Sequence, residues 1–158
     1  MSVFIGVDPG LNGALAAIGG EHEPQVHDCP TLQSGTGTRR EYDVGGMRDL
    51  LDMLIANVNI GRVVVEIPAP IPKFGVMTAR SLGEALGIWR ALLVDVPHVF
   101  VSPSVWKKDM GLAGKGKQGA VALALREFPS LAEDLRLKRH VDRAEAVLLA
   151  EWGRRAYG

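Results

Sequence analysis

The sequence predicts an α/β fold in which an antiparallel meander leads into parallel strands flanked by helices. Three β-rich segments come first, over residues 3–7, 13–18 and 24–30, and glycine or proline bounds each of them. Later apolar strand patterns, at residues 63–66 and 98–101, alternate with helical patterns. Strands that alternate with helices in this way are typical of a parallel α/β sheet.

The helices are predicted from apolar periodicity and from proline at helix starts. They cover residues 43–55, 76–94, 119–128 and 141–156, with a further start at Ser102-Pro103. Residues 33–40 are rich in glycine, threonine and serine, and we expect a mobile loop there. Residues 67–72 hold three prolines and are also expected to be a loop.

The composition indicates an ordinary globular protein. The 158 residues favour one domain, and 47% hydrophobic with 23% charged residues excludes general disorder. Eighteen basic residues balance eighteen acidic ones, so attraction to nucleic acid has to come from local clusters. Cys29 is the single cysteine, which excludes an internal disulfide. No signal peptide or membrane span is apparent, so we expect an intracellular protein without a membrane partner.

Four carboxylates are the candidate functional residues. Asp8 and Glu66 are each the first acid after a run of buried-type strand residues. In parallel neighbouring strands, both would emerge at the carboxyl edge of the sheet, where open α/β sheets place their sites. Asp142 and Glu145 lie three residues apart on the last predicted helix and share a face. Four converging acids would repel one another without a cation, and oxygen ligands of this kind suit Mg²⁺.

Each acid also has an ordinary structural explanation. Asp8 begins an Asp-Pro-Gly turn, and Glu66 can simply end its strand. The helical pair suits the positive end of a helix dipole. Their shared order and contexts favour a common site over separate explanations.

In these segments the sequence resembles the RuvC-type Holliday junction resolvases of the RNase H-like superfamily, in particular their phage-associated members. The resemblance covers nearly the whole chain and is carried by residues 4–10, 63–66, 82–87 and 142–146. It implies an RNase H-like mixed five-stranded sheet flanked by helices. It also implies a single nuclease domain over residues 1–158.

The resemblance implies the metal site and the reaction as well. Asp8, Glu66, Asp142 and Glu145 match the family's metal-binding tetrad. The family would bind two Mg²⁺ ions, for which Mn²⁺ substitutes, and hydrolyse DNA phosphodiesters by a two-metal mechanism. Many members have aspartate or histidine where this chain has Glu145, and nearby His140 competes with Asp142 for its role.

Basic and aromatic residues are the candidate DNA contacts. Lysines cluster where the family uses them for catalysis and DNA contact, namely at Lys107, Lys108, Lys115 and Lys117. The first two of these are also candidate catalytic residues, and the division of roles stays open. The other candidates are Arg39, Arg40, Arg80 and Phe74, the last as an aromatic wedge in the junction centre. The alternatives are solvated surface charge and, for the phenylalanine, an anchor for the long helix.

A stripe of small residues on the longest helix predicts a close helix contact. The stripe consists of Ala79, Gly83, Gly87 and Ala91. Glycine lowers helix stability by up to about 1 kcal/mol relative to alanine, so two of them suggest a packing role. The resolvases that this chain resembles pair through the equivalent helix, which implies a homodimer. The alternative is that the stripe lets the helix lie tightly on its own sheet.

Two nucleotide-binding patterns are excluded. Residues 111–118 match a P-loop as far as the lysine, but Gln118 replaces the required Ser or Thr and no buried strand precedes. The turn after the first strand resembles a phosphate loop of sugar kinases and actin-like ATPases. Those proteins need two such domains around a cleft, and 158 residues supply only one. We therefore expect no nucleotide cofactor.

The sequence thus predicts a dimeric, Mg²⁺-dependent endonuclease that resolves four-way DNA junctions in the cytoplasm of a bacterial or phage-infected cell. One alternative is a nuclease that acts on other branched or RNA-containing substrates. Another is a non-catalytic RNase H-like module that only binds nucleic acid. The intact set of four acids argues against the second, because a pure binder has no reason to crowd acids near phosphate.

Overall fold

A five-stranded mixed sheet forms the centre of the protein in a computed structural model that describes residues 1–69 and 75–158. The strands are β1 (Val3–Asp8), β2 (Ala14–Gly19), β3 (Gln25–Asp28), β4 (Thr31–Gln33), β5 (Arg40–Tyr42), β6 (Ile60–Glu66) and β7 (His98–Val101). The central sheet has the order β3–β2–β1–β6–β7. Its first three strands are antiparallel, whereas β6 runs parallel to both β1 and β7. The predicted meander followed by parallel strands is confirmed.

Helices cover both faces of this sheet. They are α1 (Val44–Ile55), α2 (Val76–Leu92), α3 (Pro103–Asp109), α4 (Gly116–Glu127) and α5 (Val141–Tyr157). One core joins the sheet to α1 and α2, and the other joins it to α3, α4 and α5. On β6, Val63 and Val65 belong to the first core and Val64 to the second. The uninterrupted apolar runs of the central strands therefore reflect burial on both faces.

Helix α5 lies directly on β1 because Gly6 has no side chain. A Cβ atom at Gly6 would overlap the carbonyl oxygen of Ala146 and come within 2.9 Å of the Cβ of Leu149. This close approach brings the N-terminal half of α5 to the carboxyl end of β1. The relative position of these two elements decides where the acidic residues meet.

The segment between β3 and α1 differs from its prediction. A loop is predicted over residues 33–40, but β4 and β5 form a small antiparallel hairpin in which Gln33 pairs with Arg40. Each strand has only three residues, most of them exposed, so no apolar alternation marks it. The other elements agree apart from their ends. Helix α4 begins at Gly116 rather than residue 119, and α2 ends two residues early.

The small-residue stripe of α2 faces solvent. All four of its members are exposed, and a Cβ atom at Gly83 or Gly87 would meet none of the described atoms within 4 Å. The buried side of α2 carries Ala85 and Trp89 instead. The alternative in which the stripe packs on the protein's own sheet is therefore wrong.

The structure bears on the P-loop pattern and on membrane-spanning helices. Residues 111–118 form the connection between α3 and α4 and the start of α4, so a helix precedes them rather than a strand. This agrees with the exclusion of a P-loop. Over the described ranges, no helix combines the length and the apolar character needed to cross a membrane.

Candidate metal and nucleic-acid site

Three carboxylates from two elements meet at the carboxyl end of β1. Asp8 is the last residue of that strand, and Asp142 and Glu145 lie on the first turns of α5. One oxygen from each residue lies within 4.8 Å of those of the other two. In the part of the chain that the structure describes, no other three acidic, histidine or cysteine side chains come this close. These three residues form what we call the carboxylate cluster.

Glu66 stands beside the carboxylate cluster without belonging to it. The parallel register pairs Val7 with Val65, which places Glu66 next to Asp8 at the same edge of the sheet. The Glu66 side chain is only 8% exposed, and the indole Nε1–H of Trp106 donates to its Oε2 at 2.7 Å. The predicted placement of both strand-end acids at one edge is confirmed.

Burial and repulsion between neighbouring acids destabilise the negative charges of the carboxylate cluster. Burial raises the pKa of Asp8 well above its ordinary value, and the charge of Glu66 raises it further, as do those of the two helical acids. Burial and the neighbouring Glu145 also raise the pKa of Asp142. A divalent cation relieves this repulsion, and hard carboxylate oxygens are the ligands that Mg²⁺ and Mn²⁺ prefer. The residues therefore fit a divalent metal ion.

Lys107 supplies the one positive charge that contacts the carboxylate cluster among the described residues. Its Nζ donates to Oε1 of Glu145 at 2.6 Å. Burial by itself would lower the pKa of Lys107, but the hydrogen bond and the charge of Glu145 outweigh burial and raise it. The ammonium group is therefore held in its charged form against the acids.

Two open clefts meet at the carboxylate cluster. The arginine cleft, of about 730 Å³, is lined by Arg39, Arg40 and Arg80 and reaches Asp8 and Asp142. The lysine cleft, of about 660 Å³, reaches the same two acids and Glu145, and its basic lining residues are Lys107, Lys108 and Lys117. Basic side chains thus flank the acids on both sides, and the arginine cleft also has Glu41 and Glu84 in its lining.

The hairpin residue Arg40 is tied to the turn after β1. Its guanidinium donates to the carbonyl oxygen of Leu11 at 3.2 Å and to Oδ1 of Asn12. The unpredicted β4–β5 hairpin is thereby anchored beside the carboxyl end of β1. It forms one wall of the arginine cleft.

The remaining candidate residues lie elsewhere. Lys115 is exposed at the start of α4 and is not among the residues that line the lysine cleft. His140 is buried, accepts a hydrogen bond on Nδ1 from the backbone N–H of Leu137 at 3.4 Å, and is not a member of the carboxylate cluster. Phe74 lies outside the described residues.

Two contacts at this site were missed from the sequence. Trp106 is not among the candidate residues taken from the sequence, yet its indole N–H donates to Glu66. Arg143, between the two helical acids, forms a bidentate pair with Asp28 of β3 at 2.7 and 2.9 Å. The first contact has only a partial sequence signal, because a buried tryptophan usually finds a hydrogen-bond acceptor but the sequence does not say which one. The second joins residues far apart in the chain and has none.

Comparison with known proteins gives one sequence relative and a fold. No family model matches the chain. It is 38% identical over 91 residues to the chloroplastic Holliday junction resolvase MOC1 of Chlamydomonas reinhardtii, a match that covers 56% of this chain and 10% of that protein. The chain therefore spans about a tenth of the length of this curated relative.

Solved structures of RuvC match over almost the full length. The T. thermophilus RuvC in complex with a Holliday junction substrate has a TM-score of 0.62 and 18% identity, with 99% of this chain and 96% of that chain covered. A second Thermus thermophilus RuvC structure has a TM-score of 0.64 and 19% identity, with 98% and 96% covered. This protein therefore has the RNase H-like fold of RuvC, and over about half of its length its sequence is similar to that of a Holliday junction resolvase.

Proposed function

We propose that this protein is a divalent-metal-dependent endonuclease that resolves four-way DNA junctions, with residues 1–158 forming one nuclease domain. The observation that carries the proposal is the carboxylate cluster, which lies where the arginine cleft and the lysine cleft meet. The sequence similarity to a Holliday junction resolvase and the RuvC fold support the choice of substrate. The cytoplasmic location and the phage-associated subgroup stay predictions from the sequence.

Four acidic residues are proposed to hold the metal ions. Asp8, Asp142 and Glu145 are the proposed ligands, and Glu66 is the proposed fourth member beside them. When bound, two Mg²⁺ ions, or Mn²⁺ in their place, would activate a water molecule and stabilise the leaving 3′ oxygen. The lysine nearest to this group, Lys107, provides a fixed positive charge for the phosphate that reacts.

The basic residues form two groups, with arginines in one cleft and lysines in the other. A DNA strand that crosses the carboxylate cluster would meet guanidinium groups on one side and ammonium groups on the other. Lys108 and Lys117 are proposed to bind phosphates in the lysine cleft, and Arg39, Arg40 and Arg80 in the arginine cleft. Phosphate contacts of this kind position the substrate without reading its sequence.

A single nicking experiment tests the proposed function. A labelled four-way junction, a linear duplex and an RNA–DNA hybrid are each incubated with the protein, with and without Mg²⁺. We expect paired nicks in the junction only when Mg²⁺ is present. Preferred cleavage of the hybrid would favour a nuclease for RNA-containing substrates, and binding without any cleavage would favour the non-catalytic module.

Lys117 is expected to contribute to the salt dependence of junction binding. Each phosphate contact on duplex arms adds about 0.9 to the slope of log affinity against log salt concentration. Lys117→Ala should therefore flatten the slope by about that amount, measured by fluorescence anisotropy over a salt series. Lys115→Ala is the matched control, because it removes an exposed lysine two residues away that does not line the lysine cleft. Equal slopes for both variants and the unaltered protein would contradict the assignment.

We also propose that α2 forms a homodimer contact through its exposed stripe. Ala79, Gly83, Gly87 and Ala91 offer a smooth surface on which a second helix can approach closely. A two-fold dimer would present two identical sites to a symmetric junction, which a monomer cannot do. The absence of side chains at the glycines has no packing role within the described part of the protein.

Replacing Gly87 with leucine is expected to separate the dimer. Because the position faces open space, the variant should keep its circular dichroism spectrum, while light scattering shows the mass halved and paired nicking lost. Asp49→Leu places the same side chain at an exposed position of α1 and serves as the control. An unaltered protein that is already monomeric at micromolar concentration would rule out this contact.

A further inference from the structure

Among the described residues, the indole N–H of Trp106 has one hydrogen-bond partner, and that partner is an acid at the candidate site. The Trp106 side chain is fully buried, and its Nε1–H donates to Oε2 of Glu66 at 2.7 Å. Within the described residues, no other group donates a hydrogen bond to the Glu66 side chain. One carboxylate oxygen thus accepts from a neutral donor, and the other has no donor in the described part of the protein.

The position of this indole is fixed by the surrounding core. Its ring belongs to the same hydrophobic core as buried residues of α4 and α5, among them Ala120 and Leu148. The short helix α3 that carries it is also tied to α5 by the residue directly after Trp106. The Nζ of Lys107 donates to Glu145 at 2.6 Å. A tryptophan held in this way is a rigid donor, whereas a free glutamate side chain has three rotatable bonds.

We propose that Trp106 is a positioning residue, which fixes the carboxylate of Glu66 in the orientation that a metal ligand requires. The inference rests on the proposed function, because it takes Glu66 as the fourth metal-binding acid. Burial penalises the ionised form of a carboxylate, so a buried ligand benefits from a hydrogen bond that favours its charged form. Groups that orient metal ligands in this way typically contribute 10- to 100-fold to metal affinity or activity.

The competing explanation is that the bond only satisfies a buried indole N–H. The chain contains a matched set of tryptophans that separates the two explanations. Trp152 donates its N–H to Asp109 outside the carboxylate cluster, and the N–H of Trp89 has no partner among the described residues. Substitution by phenylalanine removes the N–H from each and keeps an aromatic ring. The three variants therefore differ mainly in the acceptor that loses a hydrogen bond, which is Glu66 for Trp106, Asp109 for Trp152 and none for Trp89.

The first measurement is the Mg²⁺ concentration that gives half of the maximal thermal stabilisation of metal-free protein. Trp106→Phe should raise that concentration by about tenfold or more. Trp152→Phe and Trp89→Phe should leave it unchanged within twofold. An unchanged value for Trp106→Phe, or an equal rise for Trp152→Phe, would overturn the proposal.

A double-mutant cycle tests whether Trp106 acts through Glu66. In a Glu66→Gln background, the further change Trp106→Phe should no longer alter the Mg²⁺ concentration, because the group that it positions has lost its charge. A residue with a merely structural role would produce the same loss in both backgrounds. That result would overturn the proposal.

The unaltered protein provides a readout that no substitution can disturb. The indole ¹⁵N–¹H resonance of Trp106 should shift when Mg²⁺ is added, while that of Trp89 stays in place. A resonance that does not move at saturating Mg²⁺ would contradict the inference, even if Trp106→Phe fails to fold. None of these measurements uses junction cleavage, so a protein that binds Mg²⁺ as expected but cleaves nothing would contradict the proposed function and leave the role of Trp106 standing.

Discussion

The Asp8→Asn protein is expected to lose junction cleavage almost completely while it still binds the junction. The substitution keeps the size of the side chain but removes the charge of the residue that links β1 to the two acids of α5. Loss of one ligand charge from such a site should lower the single-turnover rate by about a hundredfold or more, which is a barrier increase of about 3 kcal/mol. Binding should be equal or tighter, because a negative charge that repels phosphate is gone.

The comparison needs a control for charge alone. Asp49→Asn removes an exposed aspartate from α1, away from the carboxylate cluster, and should leave both rate and affinity unchanged. Cleavage is measured by single-turnover nicking of a labelled junction, and affinity by gel shift in Ca²⁺ or without metal. If Asp8→Asn retains more than about a tenth of the cleavage rate, the carboxylate cluster is not the metal site, since a lost ligand charge costs more than that.

The placement of the acids could be predicted because it depends on strand order and helical spacing. Asp8 and Glu66 follow apolar runs, and such runs belong to adjacent central strands that are covered on both faces. Asp142 and Glu145 share a helix face at a spacing of three residues. These local patterns are enough to bring four acids to one edge of a sheet, without knowledge of any particular side-chain contact.

The contacts that organise the acids could not be predicted in the same way. The hydrogen bond from Trp106 to Glu66 joins residues 40 positions apart, and the one from Lys107 to Glu145 spans 38. Whether such side chains meet depends on how closely α3 and α5 approach the sheet. The approach of α5 is set in part by Gly6, whose missing side chain gives no periodic signal.

The hairpin of β4 and β5 escaped prediction for a different reason. Its strands have three residues each and bury little, so neither alternation nor hydrophobicity separates them from a loop. The hairpin is held instead by contacts outside itself, in which Arg40 binds the turn that follows β1. Its place beside the candidate site therefore depends on tertiary contacts that no short window of sequence contains.

A large loss of folding stability is expected when the partners of Glu151, in the C-terminal half of α5, are removed. Glu151 is only 1% exposed. Its Oε2 accepts a hydrogen bond from Arg154, and its Oε1 accepts from both Arg154 and Arg155, each at 2.7 Å. Burial by itself would raise the pKa of Glu151, but the two guanidinium groups outweigh burial and lower it. The buried charge is therefore tolerated because of these two partners.

Replacing both arginines with alanine should lower the free energy of unfolding by about 3 kcal/mol, because it leaves a buried carboxylate without a partner. In a protein of this size that loss corresponds to a decrease in Tm of about 6–12 °C. Arg136→Ala is the control, since its exposed pair with Glu133 at 3.5 Å should contribute less than about 1 kcal/mol. Adding Glu151→Leu to the double variant should restore most of the stability, because the buried charge is then gone.

The pH dependence of the double variant follows from the sign of the pKa shift. A lowered pKa in the folded state gives stability that is present above the unfolded pKa and is lost as the pH falls through the folded value. Without its arginines, Glu151 keeps only the burial that raises its pKa, so protonation stabilises the folded variant instead. The difference in Tm between the unaltered protein and the double variant should therefore be largest near neutral pH and should shrink as acidification passes through the ordinary glutamate pKa, beginning above it in the variant and ending below it in the unaltered protein. A difference that stays constant across that range would show that the arginines stabilise α5 by packing rather than by pairing with the buried charge.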